Sequence, residues 1–392
     1  MAYALIGAGL LCIWAGLHPF TSYPLSLVLA KFWNTKPLPP PLPASALQRS
    51  ALVADETPEI AILLCAYNEE GVIEAKIKNM LALKRAYPKL EVMIYVDAAS
   101  DRTGELLEPY RDQIFLHVAP ERMGKTYGMN LLMSQVTAPI VMFTDANVII
   151  DQQAPARLLR YFADPAIGCV CGHLKYTNGD ASITASSGSL YWRLDEWTKR
   201  LETATGSAMG ADGSLFAIRR ELHRATPIDM FDDIYVSMMI LCEGHRVVQA
   251  DDVIALEESV PNQREEFYRK IRIGCQAYNA HLLLWPQIRR LDVFSVYKYL
   301  SHKWFRWLAI YFLVAGGVLI EAGVFASGHN MLASVLGLLA VFAVGGGYMS
   351  VWRPLSQIWD ILTAFAGTGL GVLKSLRGHR FQTWTPAASL RK

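Results

Sequence analysis

Across 392 residues the chain balances 37 Lys+Arg against 35 Asp+Glu, a formal net charge of +2, and its basic residues are scattered or sit beside apolar segments, which excludes a nucleic-acid footprint. With 52% hydrophobic residues and a mean hydropathy of +0.22 it is more apolar than a soluble domain of this length requires. The excess lies at the two ends and points to membrane anchoring, with the lipid bilayer as a partner. Of the 6 cysteines, Cys169-Val170-Cys171 lacks metal-ligand spacing, so the set reads as buried thiols in a reducing compartment.

From Ala2 to about Leu29 the chain is nearly free of charge, interrupted by His18-Pro19 and Tyr23-Pro24. It is too long for a signal-peptide core and has neither a basic leader nor a cleavage site, so residues 1–30 are expected to form a membrane helix kinked at the prolines. Lys31 and Lys36 follow at once, which by the positive-inside bias places the next domain in the cytoplasm. Residues 31–57 are a Pro-rich linker, stiff and extended through Pro37–Pro43.

Residues 58–260 alternate buried-strand runs with helical periodicity. The strands are predicted at Ile60–Ala66, Val92–Val96, Ile114–Val118 and Ile140–Phe143, with helices at Glu69–Leu83, Gly104–Tyr110 and Gly124–Val136 between them. The alternation predicts an α/β domain with a mostly parallel, doubly wound sheet. Ligands of such sheets gather beyond the carboxyl ends of the strands, and here each end is polar. Ala66 and Tyr67 lead into Asn68 and Glu69; Asp97 and Asp101 follow the second strand, Gly124 and Lys125 the third, Asp145 and Asn147 the fourth. Asp145 is placed for a divalent cation that takes oxygen donors, with Asn147 a second, neutral one. Asp97 can accept hydrogen bonds from a nucleoside. Asp101 is read equally as a helix cap or a ligand. Gly124-Lys125 opens a helix and brings an ammonium and free N–H groups toward phosphate.

These residues resemble a known family, the membrane-embedded inverting glycosyltransferases of family two, which have a GT-A fold and include cellulose, hyaluronan and poly-N-acetylglucosamine synthases. The resemblance rests on Ala66-Tyr67-Asn68-Glu69-Glu70, Asp97-Ala-Ala-Ser-Asp101-Arg-Thr103, Gly124-Lys125-Thr-Tyr-Gly-Met-Asn130, Thr144-Asp145-Ala-Asn147, Gly210-Ala-Asp212-Gly213, Phe231-Asp232-Asp233 and Arg269-Lys-Ile-Arg272-Ile273, in family order from Ile60 to Gln276. It implies that Asp97 reads the nucleoside, that Asp145 is the first acid of a metal motif, that Asp233 is the general base, and that Arg269 and Arg272 face the diphosphate. The second metal acid is replaced by Asn147, and Ile273 stands where the processive enzymes have Trp. The implied cofactor is Mg2+ or Mn2+.

The residues themselves agree with that chemistry. Adjacent Asp232 and Asp233 enter an apolar helix, Ile234–Cys242, where burial and like charge raise a carboxyl pKa; one is the base and Asp232 is read as the cap. Leu190, Leu194, Trp197 and Leu201 follow helical spacing, so most aromatics nearby are expected in the core, with Tyr191 and Trp192 as candidates for an acceptor groove. The stretch 206–213, holding Asp212 and Gly213, is a loop through which backbone approaches the donor sugar. Residues 261–303 are basic and amphipathic, expected at the membrane interface with Arg269 and Arg272 on one face.

Residues 304–376 form a C-terminal membrane region with spans at Trp307–Ala326 and Met331–Met349, and Leu355–Leu373, which carries Asp360, as a re-entrant or interfacial helix. Residues 377–392 are a cytoplasmic tail. The whole predicts a multi-pass protein of the bacterial inner membrane that transfers a sugar from UDP-GlcNAc or UDP-glucose, with inversion, to a growing polysaccharide, alongside further export or assembly subunits. The alternatives are transfer of one sugar to a lipid, such as a polyprenyl phosphate or sphingolipid, for which Ile273 is an argument, and an inactive nucleotide-fold scaffold, against which the retained acids count.

Overall fold

The computed structural model describes residues 1–40, 59–177, 183–258, 262–349 and 352–384. Most of the expected linker, residues 41–57, lies outside them. Among the described residues an eight-stranded sheet runs in the order β3-β2-β1-β4-β7-β6-β8-β5. Its strands are β1 Ile60–Ala66, β2 Leu90–Val96, β3 Phe115–Val118, β4 Ile140–Thr144, β5 Ile149–Ile150, β6 Ile167–Tyr176, β7 Leu215–Arg219 and β8 Arg246–Glu257. β1 to β4 are parallel, as expected from the alternation of strands and helices, and every residue of β1 and β4 is buried. The second half departs from the expected pattern. β7 runs antiparallel to both β4 and β6, β5 is antiparallel to β8, and only β6 and β8 are parallel, so the sheet is mixed.

Helices cover both faces. The first two, α1 Ala2–Leu17 and α2 Ser22–Ala30, precede the sheet, and α3 Glu70–Ala86, α4 Thr103–Leu107, α5 Lys125–Gln135 and α6 Ala154–Tyr161 alternate with its strands. Ile73, Ile77, Leu107 and Leu158 from α3, α4 and α6 build one core, and Met129 and Leu132 of α5 belong to the other. The chain leaves β1 toward β2 through α3 on one face and returns to β4 through α5 on the opposite face. A crevice therefore opens at the carboxyl ends of β1 and β4, which deliver Tyr67 and Asp145.

The next helix, α7 Ile183–Ala204, corrects the sequence reading. Trp197 is 41% exposed, whereas Asp195, Glu196, Thr198, Lys199 and Glu202 are buried. Apolar periodicity misleads here because the inward face of α7 is built around ion pairs. His302 Nε2 lies 3.1 Å from Asp195 Oδ1, its Nδ1 lies 2.7 Å from Glu202 Oε1, and Lys199 Nζ is 3.0 Å from Asp195 Oδ2. Burial opposes the charge of Asp195, but Lys199 and Arg306 outweigh it and hold the carboxyl well below the usual range.

Beyond α8 Asp232–Cys242, the 26-residue α9 Gln263–Ile288 leads through α10 Val293–Tyr299, a π-helical turn at Leu300–Trp304 and α11 Phe305–Trp307 into α12 Ala309–Ala326, α13 Asn330–Tyr348 and α14 Arg353–Leu376. Among the described residues, two stretches, Ala2–Phe20 and Ala309–Ala326, are long and apolar enough to cross a membrane. They pack on each other in backbone contact: a methyl added at Gly9 would meet the Gly316 carbonyl at 2.8 Å, and one at Gly323 the Ala2 carbonyl at 2.9 Å. The final segment, expected as re-entrant or interfacial, runs unbroken from Arg353 to Leu376 against α9, and Gln263 Nε2 donates to Asp360. Gly274 of α9 and Gly371 of α14 let the two helices meet, since a methyl at Gly371 would come 2.4 Å from the Ile271 carbonyl.

Candidate functional site

The loops after β1, β2 and β3 hold one another. Asn68 takes a left-handed conformation, φ 52°, and its side chain exchanges hydrogen bonds with Ser100, the Ser100 N–H donating to Oδ1 at 2.8 Å. The N–H of Glu69 donates to Thr103 Oγ1 at 2.8 Å. Asp101 accepts the N–H of Glu70 at 3.0 Å and of Thr103 at 2.9 Å, which joins two helix starts and favours its capping role. Asp97 is fully buried and accepts the N–H groups of Met123, at 2.7 Å, and Gly124, at 3.1 Å. In this state the carboxylate expected to read a nucleoside shapes the loop that leads into α5. The Arg122 guanidinium lies over the Tyr67 ring, 3.5 Å from its centroid.

At the start of α5, Lys125 Nζ lies 2.8 Å from Asp145 Oδ1 and 3.9 Å from Asp232 Oδ1. Burial opposes the ammonium charge, but Asp145 and Asp232 outweigh it and hold Lys125 protonated far above its ordinary range. Across the crevice, Asp233 sits in the first turn of α8, 8% exposed. Burial, Asp232 and Asp212 push its carboxyl up to about 7. Asp232 is buried too, but the residue before the helix is Phe231 and the first-turn N–H of Ile234 is accepted by Asp233 Oδ1 at 2.6 Å, so Asp232 serves as a partner of Lys125 rather than as the expected cap. The 206–213 loop forms the floor: a methyl at Gly213 would lie 3.0 Å from Asp233 Oδ2 and 3.5 Å from Lys125 Nζ, space that only glycine leaves open. Asp212 Oδ1 accepts the Ser214 N–H at 3.0 Å.

Arg272 and Arg269 approach from α9. Arg272 Nη1 donates to Gln276 Oε1 at 3.2 Å and its guanidinium lies 5.4 Å from the Phe231 ring; burial and Arg269 lower its pKa to about 10. Arg269 pairs with Glu266 at 3.2 Å. Tyr191 accepts from Arg306 Nη1 at 3.0 Å and faces the Lys270 ammonium, while Trp192 Nε1 donates to the Leu174 carbonyl at 3.2 Å and packs edge-on to Tyr176. Trp192 is thereby tied to the sheet, whereas Tyr191 lies beside the Arg306 guanidinium and the Lys270 ammonium.

Three participants escaped the sequence reading. Glu257, the last residue of β8, accepts Asn147 Nδ2 at 2.8 Å and Ser214 Oγ at 3.1 Å. Lys76 is fully buried in α3 and donates to Thr144 Oγ1 at 2.9 Å and to the Val148 carbonyl at 2.6 Å, bracing the loop that carries Asp145; burial lowers its pKa to about 7 against the pull of Asp145 and Glu257. The third is the tail. Gln276 Nε2 donates to the Phe381 carbonyl at 2.8 Å, Gln382 Nε2 to the Met123 carbonyl at 3.0 Å and Arg122 to the Trp384 carbonyl. Residues 379–384 thus lie across the 122–124 loop rather than trailing away.

Asp145, Asp212, Asp232, Asp233 and Glu257 therefore surround a crevice whose nearby cations include Lys76, Lys125, Arg269 and Arg272. That oxygen-only donor set fits a hard divalent cation.

The glycosyl transferase family 2 model matches residues 61–226. The chain carries a family 2 glycosyltransferase domain. Its sheet and its crevice at the β1/β4 switch are those of the GT-A fold. The chain is 31% identical over 203 residues to the poly-beta-1,6-N-acetyl-D-glucosamine synthase of Staphylococcus aureus, covering 49% of this chain and 48% of that one. To the synthase of the same name from Staphylococcus epidermidis it is 28% identical over 166 residues, covering 41% and 40%. The chain spans about half the length of the curated relatives it matches. Among solved structures, a mannosyltransferase from Pyrobaculum calidifontis in complex with GDP-Man and Mn2+ superposes with a TM-score of 0.70 at 21% identity, over 95% of this chain and 99% of that one. The shared fold thus includes the helices on either side of the domain.

Proposed function

We propose that the protein transfers a sugar from UDP-GlcNAc or UDP-glucose, with inversion, to the end of a growing polysaccharide at the cytoplasmic face of a membrane. The observation that carries this reading is the position of Asp233: a buried carboxyl with a pKa near neutrality, separated from the Lys125–Asp145 pair only by the space above Gly213. An acceptor hydroxyl seated there gives its proton to the Asp233 carboxylate as its oxygen attacks the anomeric carbon. The bond to the diphosphate breaks on the opposite side, so configuration inverts in one displacement. Lys125, Arg269 and Arg272 face the departing diphosphate, and Asp97 acts through the 122–124 loop that it orders. Asp145 and Asn147 would hold Mg2+ or Mn2+, which supplies further neutralisation of diphosphate charge; the mannosyltransferase complex, which contains Mn2+, supports this. The names of the staphylococcal synthases support a β-linked N-acetylglucosamine polymer.

The reading assigns catalysis to 58–260, an interfacial role to 261–303, and membrane anchoring to α1 and α12, with Lys31, Lys36, Lys298, Lys303 and Arg306 on the cytoplasmic side. A second reading, transfer of one sugar to a lipid acceptor, is favoured by Ile273, which offers no indole face on which a polymer's terminal sugar could stack. Purified protein in lipid vesicles, given a panel of labelled nucleotide sugars and Mn2+, separates the two by product size. Material longer than a few sugars is expected. A single sugar on lipid at saturating donor selects the second reading, and no transfer from any donor overturns both.

A further inference from the structure

Asn147 occupies the position of the second metal acid, and its side chain is already committed. Its Nδ2 donates to Glu257 Oε1 at 2.8 Å, while Ser214 Oγ donates to Glu257 Oε2 at 3.1 Å. The hydrogen bond turns the amide NH2 toward Glu257, and Oδ1 remains as the one donor atom that Asn147 can offer a cation. Glu257 is itself fixed. It ends β8, is 9% exposed, and its carbonyl accepts the Thr177 N–H at 3.0 Å. The adjoining register of β5 on β8, Ile149 opposite Leu256, sets the end of β8 beside the loop after β4. That loop is braced from below by Lys76 on the Val148 carbonyl. Two rigid elements thus bring an acid 110 residues away in sequence against Asn147.

We propose that Glu257 is the positioning residue of the cation site. From β8 it places a carboxyl against the neutral Asn147 and orients the Asn147 amide so that oxygen faces the metal. The inference rests on the metal-dependent glycosyl-transfer reading above. Residues behind a metal's direct ligands, when altered, typically cost ten- to a hundredfold in metal affinity. The pairing also reverses a simple expectation. Converting Asn147 to Asp alone would seem to complete the metal motif, yet it sets two carboxylates at hydrogen-bonding distance, where they repel or share a proton.

Mn2+ titration of the full-length protein with UDP present, read by the electron paramagnetic resonance of free Mn2+, tests the pairing without turnover. Asn147→Asp is expected to bind Mn2+ roughly tenfold more weakly than the unaltered chain, and Glu257→Gln, which keeps the shape, also roughly tenfold more weakly. The double variant Asn147→Asp/Glu257→Gln exchanges acid and amide and is expected to return to within about threefold of the starting affinity, which a merely structural role for Glu257 would not produce. Recovery in the double variant also shows that the site still folds. Tighter binding by Asn147→Asp, or no recovery in a double variant that melts like the parent, overturns the pairing while leaving the metal reading intact. Absence of Mn2+ binding by the unaltered protein overturns the metal reading and the pairing together.

Discussion

The Lys125 ammonium sits 2.8 Å from Asp145 Oδ1 and so ties the opening of the α5 helix to the end of the β4 strand. It stands between the acid that would meet the diphosphate and the acid that would take the acceptor's proton, and it is the nearest compensating charge for both. Lys125→Met is expected to lower kcat/KM by roughly two to three orders of magnitude, the usual worth of a preorganised charge at a reacting centre. Because Lys125 holds down the pKa of Asp233, its loss also moves the rising limb of the pH–rate profile to higher pH. A kcat/KM profile between pH 5 and 9 for both proteins checks both effects.

Asp233 must be ionised to act as a base, and burial with Asp232 and Asp212 raises its carboxyl to about 7. Transfer should therefore fall as pH drops through 7. Asp233→Asn is expected to bind donor nearly normally and to lose transfer by about two to four orders of magnitude. The same shift has a stability consequence of defined sign. Between the unfolded value of 3.8 and about 7 the folded chain holds a proton that the unfolded chain has released, so this group's contribution to stability declines as pH rises through that window. Asp233→Asn should flatten that part of a denaturation-versus-pH curve.

The tail over the donor loop makes a prediction at Gly124. Its φ of +94° is one that side chains rarely adopt, and a methyl there would meet the Gln382 carbonyl at 2.3 Å. Gly124→Ala must displace residues 379–384 or distort the loop held by Asp97. A rise in donor KM of about tenfold, larger than the fall in kcat, is expected. Truncation after Gly378 should raise donor KM likewise, and the two changes together should be less than additive because they remove the same contact. Donor saturation curves for the two single changes and their combination test this.

Gly371 lies far along the chain from the acids, yet a methyl there would come 2.4 Å from the Ile271 carbonyl, one residue before Arg272. Gly371→Val is expected to push the α14 helix away from the α9 helix and withdraw Arg272 from the crevice. Activity should fall by at least tenfold while near-parental melting of the protein is retained, and donor KM should rise as it does in Arg272→Ala. Kinetics of those two variants side by side give the check.

How much of this could be read from the sequence depended on the range of the signal. β1 and β4 announce themselves because both their faces are buried, so each carries a continuous apolar run that turns polar at its carboxyl end; that logic located Tyr67 and Asp145. Asp232 and Asp233 were legible as an acidic pair entering an apolar helix. Glu257 was not, since its partner is 110 residues distant and only the register of β8 on β5 brings them together. The substitution of Asn147 for an acid was the available clue, a neutral amide that invited a search for its partner. Lys76 was hidden by its setting, because a lysine in an amphipathic helix ordinarily reads as solvated. The inward face of Ile183–Ala204 defeated apolar periodicity because it is lined by compensated charges from a segment a hundred residues later.

The glycine-mediated contact between Ala2–Leu17 and Ala309–Ala326 carries a consequence for how the molecule is made. The first helix leaves the ribosome well before its partner exists, and the whole sheet is synthesised in between. Its glycine face can be covered only late, after Glu257 and the long Gln263–Ile288 helix have been translated. Closing so long a loop adds little extra entropy, since the cost grows only as the logarithm of length. Order of synthesis thus constrains assembly: the sheet is complete before the first helix can meet its distant mate, and the Arg353–Leu376 helix and the tail over the 122–124 loop can dock only after that mate is made.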